Sequence, residues 1–416
     1  MNARRARAVL VVLIAALLAA CSPEQPPPPR IGIDPFFVHG SDHGSTDRLA
    51  AAVVADAQRY WGSAFPQVSH GDRWNDLDGG AFSADTTSST AAAPPCSGSA
   101  QEVEGNAYYC GPADAVVWDR SALLPVLRDH YGDGAVIAVL AHEMGHAVQK
   151  RAGMDPSDRS LRSESMADCY SGAFTRWVAD GHAPHLRIAS AQRDSALRAL
   201  VSFRDPVGTT SSTPDAHGTA FDRASAFQDG YAQGPQRCSG VTDETAKLAG
   251  RADEPTRPPD RALAPEPDRF FADLVRQRGG TWTPSPLVWS TDPAARCRPA
   301  PVAYCPPAVV ADPAALTELN RDAGEHAAAT LLTSRYALAA QDALHQPVTG
   351  PEADRRTACL TGARTAAERG ALSPSDLDAA LGALLSGSAV PGGGDGFDRV
   401  AAFREGAAGG AGACGE

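Results

Sequence analysis

Apolar positions follow several distinct patterns along the chain. Ala8 to Ala20 form an unbroken apolar run of 13 residues behind Arg4, Arg5 and Arg7. A helix needs roughly 20 residues to cross a bilayer, so this run reads as a secretory leader and not as a membrane span. Between Tyr131 and Gly153, Val136, Val139 and Leu140 recur at helical spacing, with Asp133 as the expected N-cap and Gly153 as the stop. A second helix is predicted where Met166, Tyr170, Ala173 and Trp177 share one face ahead of Gly181. Short strands are expected near Ala107–Cys110 and Ala115–Trp118, and the Ser/Thr/Ala/Pro-rich stretch 82–101 reads as a surface loop. Pro255, Pro258, Pro259, Pro265 and Pro267 stand among charges between 246 and 268, which marks a linker.

At 416 residues the chain exceeds one ordinary core. The patterns divide it into a leader (1–20), a tether (21–46), a folded unit (47–245), a linker (246–268) and a second unit (269–416). Both units are expected to be mainly helical α+β. Composition narrows the function. With 37 basic against 49 acidic side chains, a net charge of -12 and only Lys150 and Lys247 as lysines, no basic face for nucleic acid is expected. Leu18-Ala19-Ala20-Cys21 resembles a bacterial lipobox, which implies cleavage before Cys21 and acylation of its thiol and new amino group. The prolines from Pro23 to Pro29 would then space the protein from the outer face of the cell membrane. Cys96, Cys110, Cys169, Cys238, Cys297, Cys305, Cys359 and Cys414 remain, an even set that in an exported chain reads as disulfides.

The chemistry sits in the helix through Tyr131–Gly153. His142 and His146 are four residues apart, so both imidazoles project from one face and can reach one Zn²⁺. Glu143 lies beside the ion, where a carboxylate can serve as general base. In the next helix Glu164 and Asp168 also share a face. Glu164 is the expected third ligand. Asp168 is expected to accept the spare N–H of a ligand histidine and fix its tautomer.

Ala141 through Gln149 resemble the AHExGHxxQ helix of the bacterial neutral zinc metallopeptidases, and Glu164 through Cys169 resemble that family's ELQADC-like helix. Ala107-Tyr108-Tyr109-Cys110-Gly111-Pro112, Val116-Val117-Trp118-Asp119, His217-Gly218-Thr219 and Cys238 extend the resemblance over roughly residues 47 to 245. The chain departs from the family at Ser165-Met166, where Leu-Gln is favoured, and at Ala147, where many members carry a further histidine. Neither position is a ligand. The resemblance implies a zincin-like domain with one Zn²⁺, acting as an endopeptidase on protein or peptide substrates through zinc-activated water, with Glu143 as base. His217, Tyr108 and Tyr109 are candidate donors to the oxyanion. The remaining histidines, His182 and His185 included, read as surface or loop residues. The alternative is an idle cell-envelope scaffold or binding lipoprotein with a structural zinc, but a structural site has no need of Glu143.

The chain also resembles itself. Phe221 to Cys238 and Phe397 to Cys414 share nine identities over 18 positions at an offset of 176. Ala167-Asp168-Cys169 faces Thr357-Ala358-Cys359, Tyr109-Cys110 faces Tyr304-Cys305, and Cys96 faces Cys297. Residues 269–416 therefore read as a degenerate second copy. In register with Gln149 and Gln341, Ser334, Arg335 and Leu338 replace His142, Glu143 and His146, and Asp354 replaces Glu164, so no zinc site is expected there. Four cysteines per copy leave few pairings; the local choice joins Cys96 to Cys110 and Cys169 to Cys238, then Cys297 to Cys305 and Cys359 to Cys414.

Overall fold

The computed structural model describes residues 37–154, 161–206, 209, 216–242, 267–290, 301–324, 326–367, 373–386, 390 and 392–415. The leader, Cys21, most of the tether, most of the linker and Cys297 lie outside the described residues. What is described is mainly helical α+β.

The first half runs β1 (Val38–His39), α1 (Ser45–Ala64), β2 (Gly80–Ala84), β3 (Ala107–Cys110), β4 (Ala115–Asp119), α2 (Leu123–Tyr131), α3 (Asp133–Arg151), α4 (Leu161–Ala179), α5 (Ser190–Ser202), α6 (Ala220–Gln233) and α7 (Pro235–Ser239). Its sheet has the order β1-β2-β4-β3, with β3 antiparallel at the edge and the other pairs parallel. β4 is buried along its whole length, which suits its continuous apolar run. Asp119 ends it: its carboxylate accepts the N–H groups of Ser121, Ala122 and Leu123 and so opens α2. β2 takes Phe82–Ala84 out of the expected loop. It is held there by pairing with β4 and by the Ser83 hydroxyl, which donates to Asp47 on α1.

α3 is apolar nearly all round because it is buried nearly all round, against α1, α4, α5 and β3. Its N-cap is Gly132, not Asp133. Asp133 is instead the first helical residue, and its carboxylate takes Arg128 Nε at 2.7 Å. At the other end Gly153 has φ +87°, Met154 N–H donates to Gln149 O, and Gly153 N–H to Lys150 O, a Schellman stop. Gly181 closes α4 in the same way. Gly145 lets α3 and α4 meet: a Cβ there would lie 2.9 Å from Ala167 Cα.

The second half runs α8 (Pro267–Gln277), β5 (Leu287–Trp289), β6 (Val302–Cys305), β7 (Ala308–Ala311), α9 (Pro313–Ala323), α10 (Ala327–Ala343), α11 (Gly350–Ala367), α12 (Pro374–Ser386) and α13 (Gly396–Gly409). Its sheet order is β5-β7-β6, again with one parallel and one antiparallel pair. Cys110 pairs with Ala115 and Ala107 with Trp118 in the first sheet; Cys305 pairs with Ala308 and Val302 with Ala311 in the second. Disulfides join Cys96 to Cys110, Cys169 to Cys238 and Cys359 to Cys414, and Cys305 is also disulfide-bonded.

One apolar core surrounds α1, α3, α4 and the first sheet. A second is shared: Ala138 of α3, Leu197 and Leu200 of α5 and Phe227 and Tyr231 of α6 pack with Leu381, Phe397 and Phe403. Among the described residues no helix is long and apolar enough to cross a membrane.

Candidate metal centre

The helical spacing of α3 sets His142 and His146 on one face, with ring centroids 4.9 Å apart and planes nearly perpendicular. α4 crosses that face at Gly145 and brings Glu164 beneath both rings. Glu164 Oε2 lies 3.2 Å from His142 Nε2, and Oε1 lies 3.6 Å from His146 Nε2. Among the described residues this is the one group of three potential ligands whose donor atoms all lie within 4.8 Å of one another.

Each imidazole is oriented through its other nitrogen. His142 Nδ1 lies 2.7 Å from Asp168 Oδ1, and His146 Nδ1 lies 3.1 Å from Gln149 Oε1. Gln149 is itself fixed, since its amide donates to Ser163 O and its oxygen accepts the Ser163 hydroxyl. Asp168 is wholly buried and receives Arg223 from α6, Nε to Oδ2 at 3.0 Å and Nη2 to Oδ1 at 2.9 Å. Arg223 is only 3% exposed, and its Nη1 donates to Phe203 O.

The charges act together. Burial works to lower the His142 pKa, but the Asp168 carboxylate, helped by Glu164 and Glu143, pushes it up to about 10. Burial works to raise Glu164 and Asp168, yet both stay below the usual carboxylate range, Glu164 through His142 and His146, Asp168 through Arg223 and His142. A field that retains a proton on a buried imidazole also suits a dication. The fit to a metal rests on an orphaned atom: Glu164 is 2% exposed, and its Oε2 has no hydrogen bond of acceptable geometry. It faces two Nε2 atoms whose rings are anchored through Nδ1. Two imidazoles and one carboxylate form a donor set that zinc takes in catalytic sites, where a fourth position stays open.

Glu143 follows His142 on α3 and is nearly buried. Its Oε2 accepts the Tyr109 N–H of the edge strand β3 at 3.1 Å. The tyrosine hydroxyls are committed elsewhere. Tyr109 donates to Asp114, which Arg151 also grips, and Tyr108 donates to Pro95 O. His217 remains, half exposed, with Nε2 3.8 Å from Glu164 Oε2. The next residue is held by Asp205, which accepts Gly218 N–H at 2.7 Å. His185 is more than a surface residue, because its ring and backbone bond the buried Asp56.

The sequence reading missed Arg223 and the role of Gln149. Gln149 carried a signal, lying three residues beyond His146 on the same helical face. Arg223 carried one too, as part of the Phe-Asp-Arg triplet that recurs at Phe221–Arg223 and Phe397–Arg399.

Comparison with known proteins agrees with the geometry. Two curated relatives, each "Uncharacterized protein YpfJ", from Escherichia coli strains K12 and O6:H1, are 30% identical over 168 residues. The match covers 34% of this chain and 56% of each relative, so the chain spans about half the length of the relatives it matches. No solved structure matches the chain. The profile of the family described as "Putative neutral zinc metallopeptidase" matches residues 38–240, a segment that takes in His142, Glu143, His146, Glu164, Asp168, His217, Arg223 and Cys238 and is similar to this family throughout.

Proposed function

We propose that the chain is a zinc-dependent endopeptidase, held by a lipid on Cys21 at the outer face of the cell membrane. The observation that carries the catalytic reading is the setting of Glu143. A nearly buried carboxylate stands one residue from a ligand histidine and accepts the Tyr109 backbone N–H, which aims it beside the ligand face of α3. When bound by His142, His146 and Glu164, Zn²⁺ supplies Lewis acidity, polarising the scissile carbonyl and making water acidic enough to lose a proton near neutrality. Glu143 accepts that proton and returns it to the leaving amine. His217, next to the Asp205-held Gly218, donates to the developing oxyanion. Among the described residues β3 is an edge strand beside α3, and an extended peptide would lie along it, main chain to main chain.

We further infer that residues 269–416 are a second copy of the domain without a metal site. Matching sheet order and strand register support this. So do the glycine pairs: Gly172 lies against Phe227 O and Gly230 against Cys169 O, as Gly362 lies against Phe403 O and Gly406 against Cys359 O. α5 and α12 also align, with six of 13 residues identical, among them Asp194 and Asp378.

The deciding experiment measures metal content and turnover of a broad peptide library for wild type and Glu143→Gln. Stoichiometric zinc in both, with turnover in wild type alone, is expected. Zinc in both with no turnover in either would overturn the peptidase reading in favour of a structural metal site.

A further inference from the structure

The two halves meet where a carboxylate of the second caps a helix of the first, and this cap leads to the metal centre. The first amides of a helix need acceptors, and α6 has four to satisfy. Thr219 and Asp222 serve each other: the Thr219 hydroxyl oxygen accepts Asp222 N–H, and the Asp222 carboxylate accepts Thr219 N–H. Of the other two, Ala220 and Phe221, Phe221 donates to the Asp378 carboxylate on α12 of the other half, N to Oδ1 at 3.0 Å, and the Ala220 amide lies beside the same carboxylate. Arg204 holds Asp378 from the side, Nε to Oδ2 at 3.5 Å. The counterpart of Asp378 is Asp194 on α5, which lies close to Gly396 at the start of α13, while Asp395 caps that helix by accepting Asp398 N–H. The two carboxylates therefore occupy corresponding places across the contact, as in an isologous dimer, with the cap hydrogen bond made by Asp378. Even Gln228 and Arg404, at equivalent positions, bond each other at 3.1 Å.

Further along α6 the second half grips again. Gln228 donates to Phe397 O, Arg404 pairs with Asp229, and Phe397 packs on Phe227 and Tyr231. α6 is thus held from behind while Arg223, one turn in, reaches forward to Asp168 and so to His142.

We propose that the second half serves as a built-in dimer partner, in which Asp378 is a positioning residue that fixes α6 and, through Arg223 and Asp168, the His142 imidazole. This rests on the metal-site reading above but not on peptidase turnover. The test compares full-length Asp378→Ala, Asp378→Asn and Asp194→Ala by zinc competition against a chromophoric chelator and by hydrogen–deuterium exchange of chelator-treated protein. Asp378→Ala should weaken zinc about fivefold, less than loss of a ligand's direct partner. It should also speed exchange in the first turn of α6 and in α4 around Asp168. Asp378→Asn keeps an acceptor oxygen and should fall between it and wild type. Asp194→Ala removes the corresponding carboxylate beside Gly396, and should leave zinc affinity and α4 exchange unchanged. Equal effects of the two alanine variants on zinc or on α4 exchange would reduce the contact to general stability and overturn the proposal. So would unaltered zinc affinity and α4 exchange in Asp378→Asn, should Asp378→Ala fail to fold. If no zinc binds to wild type, the metal reading fails, and the exchange pattern alone still decides whether Asp378 controls α4.

Discussion

Asp168→Ala separates two jobs done by one carboxylate. Asp168 orients His142 through Nδ1 at 2.7 Å, and it neutralises Arg223 inside the protein. Loss of a ligand histidine's partner typically costs about 10–100-fold in metal affinity, or about 1.4–2.8 kcal/mol. Stranding the guanidinium is a different cost. Arg223 would keep only Phe203 O, and removing one partner of a buried ion pair destabilises by about 3–5 kcal/mol. Set against a total stability of about 5–15 kcal/mol, that loss shows clearly in a denaturant titration.

The double variant Asp168→Ala/Arg223→Met distinguishes the two effects. With the charge gone, most of the stability should return, because an apolar side chain of similar length fills the space. Zinc affinity should not return, since His142 still lacks its acceptor. Affinity is read by chelator competition and stability by urea midpoint on chelator-treated samples. Zinc affinity within twofold of wild type in the double variant would refute the orienting role of Asp168. A stability loss as large in the double as in the single variant would refute the stranded-charge argument.

Three further outcomes are expected. In protein stripped of metal, His142 has a pKa raised to about 10. Its contribution to stability should be complete below its unfolded pKa of about 6.5 and fade as pH rises toward 10. Zinc binding near pH 7.5 must then expel that proton, so calorimetry in buffers of different ionisation enthalpy should report release of about one proton, and zero release would contradict the assignment. Gly145→Val should force α3 from α4 and cost about 1–3 kcal/mol, whereas Gly62→Ala on α1, with nothing within 4 Å, should be neutral or stabilising; thermal melts compare the two. Cys21→Ser should shift the protein from the membrane fraction to the medium of cells that express it, and an unaltered distribution would remove the lipid anchor from the proposal.

What could be read in the sequence was whatever helical periodicity encodes. His142 with His146, and Glu164 with Asp168, are local pairs whose shared faces follow from 3.6 residues per turn, and Gly153 and Gly181 stop their helices by local backbone chemistry. The strands were harder. β1 has two residues and β2 is Gly-Ala-Phe-Ser-Ala, without the β-branched alternation that marks a strand, so its pairing depends on the buried β4 beside it. Gly132 displaced Asp133 as N-cap because a turn at φ +82° joins α2 to α3, and Asp133 is drawn toward Arg128. Arg223 lies 55 residues from Asp168 in sequence, and only the packing of α4 on α6 joins them.

On the reading that the halves are copies, the substitutions in the second follow an electrostatic logic. Residues that pack are kept, among them the close-contact glycines, the Cys359–Cys414 bridge, Phe403, and Gln341, which donates to Thr357 as Gln149 donates to Ser163 O. Asp168 corresponds to Ala358, so the buried Arg399 cannot repeat the contact of Arg223. It turns one helical turn back to Asp354, the counterpart of the ligand Glu164, at 3.2 Å. Arg335, the counterpart of Glu143, brings a second buried guanidinium that acts on Asp354, and its amine-like protons reach Val302 O and Ser334 Oγ. Burial, with Arg399 nearby, lowers its pKa to about 10, so it stays charged at neutral pH. On that reading, guanidinium groups of the chain act on Asp354, at the position aligned with the ligand Glu164, where the first half would recruit its cation from solution.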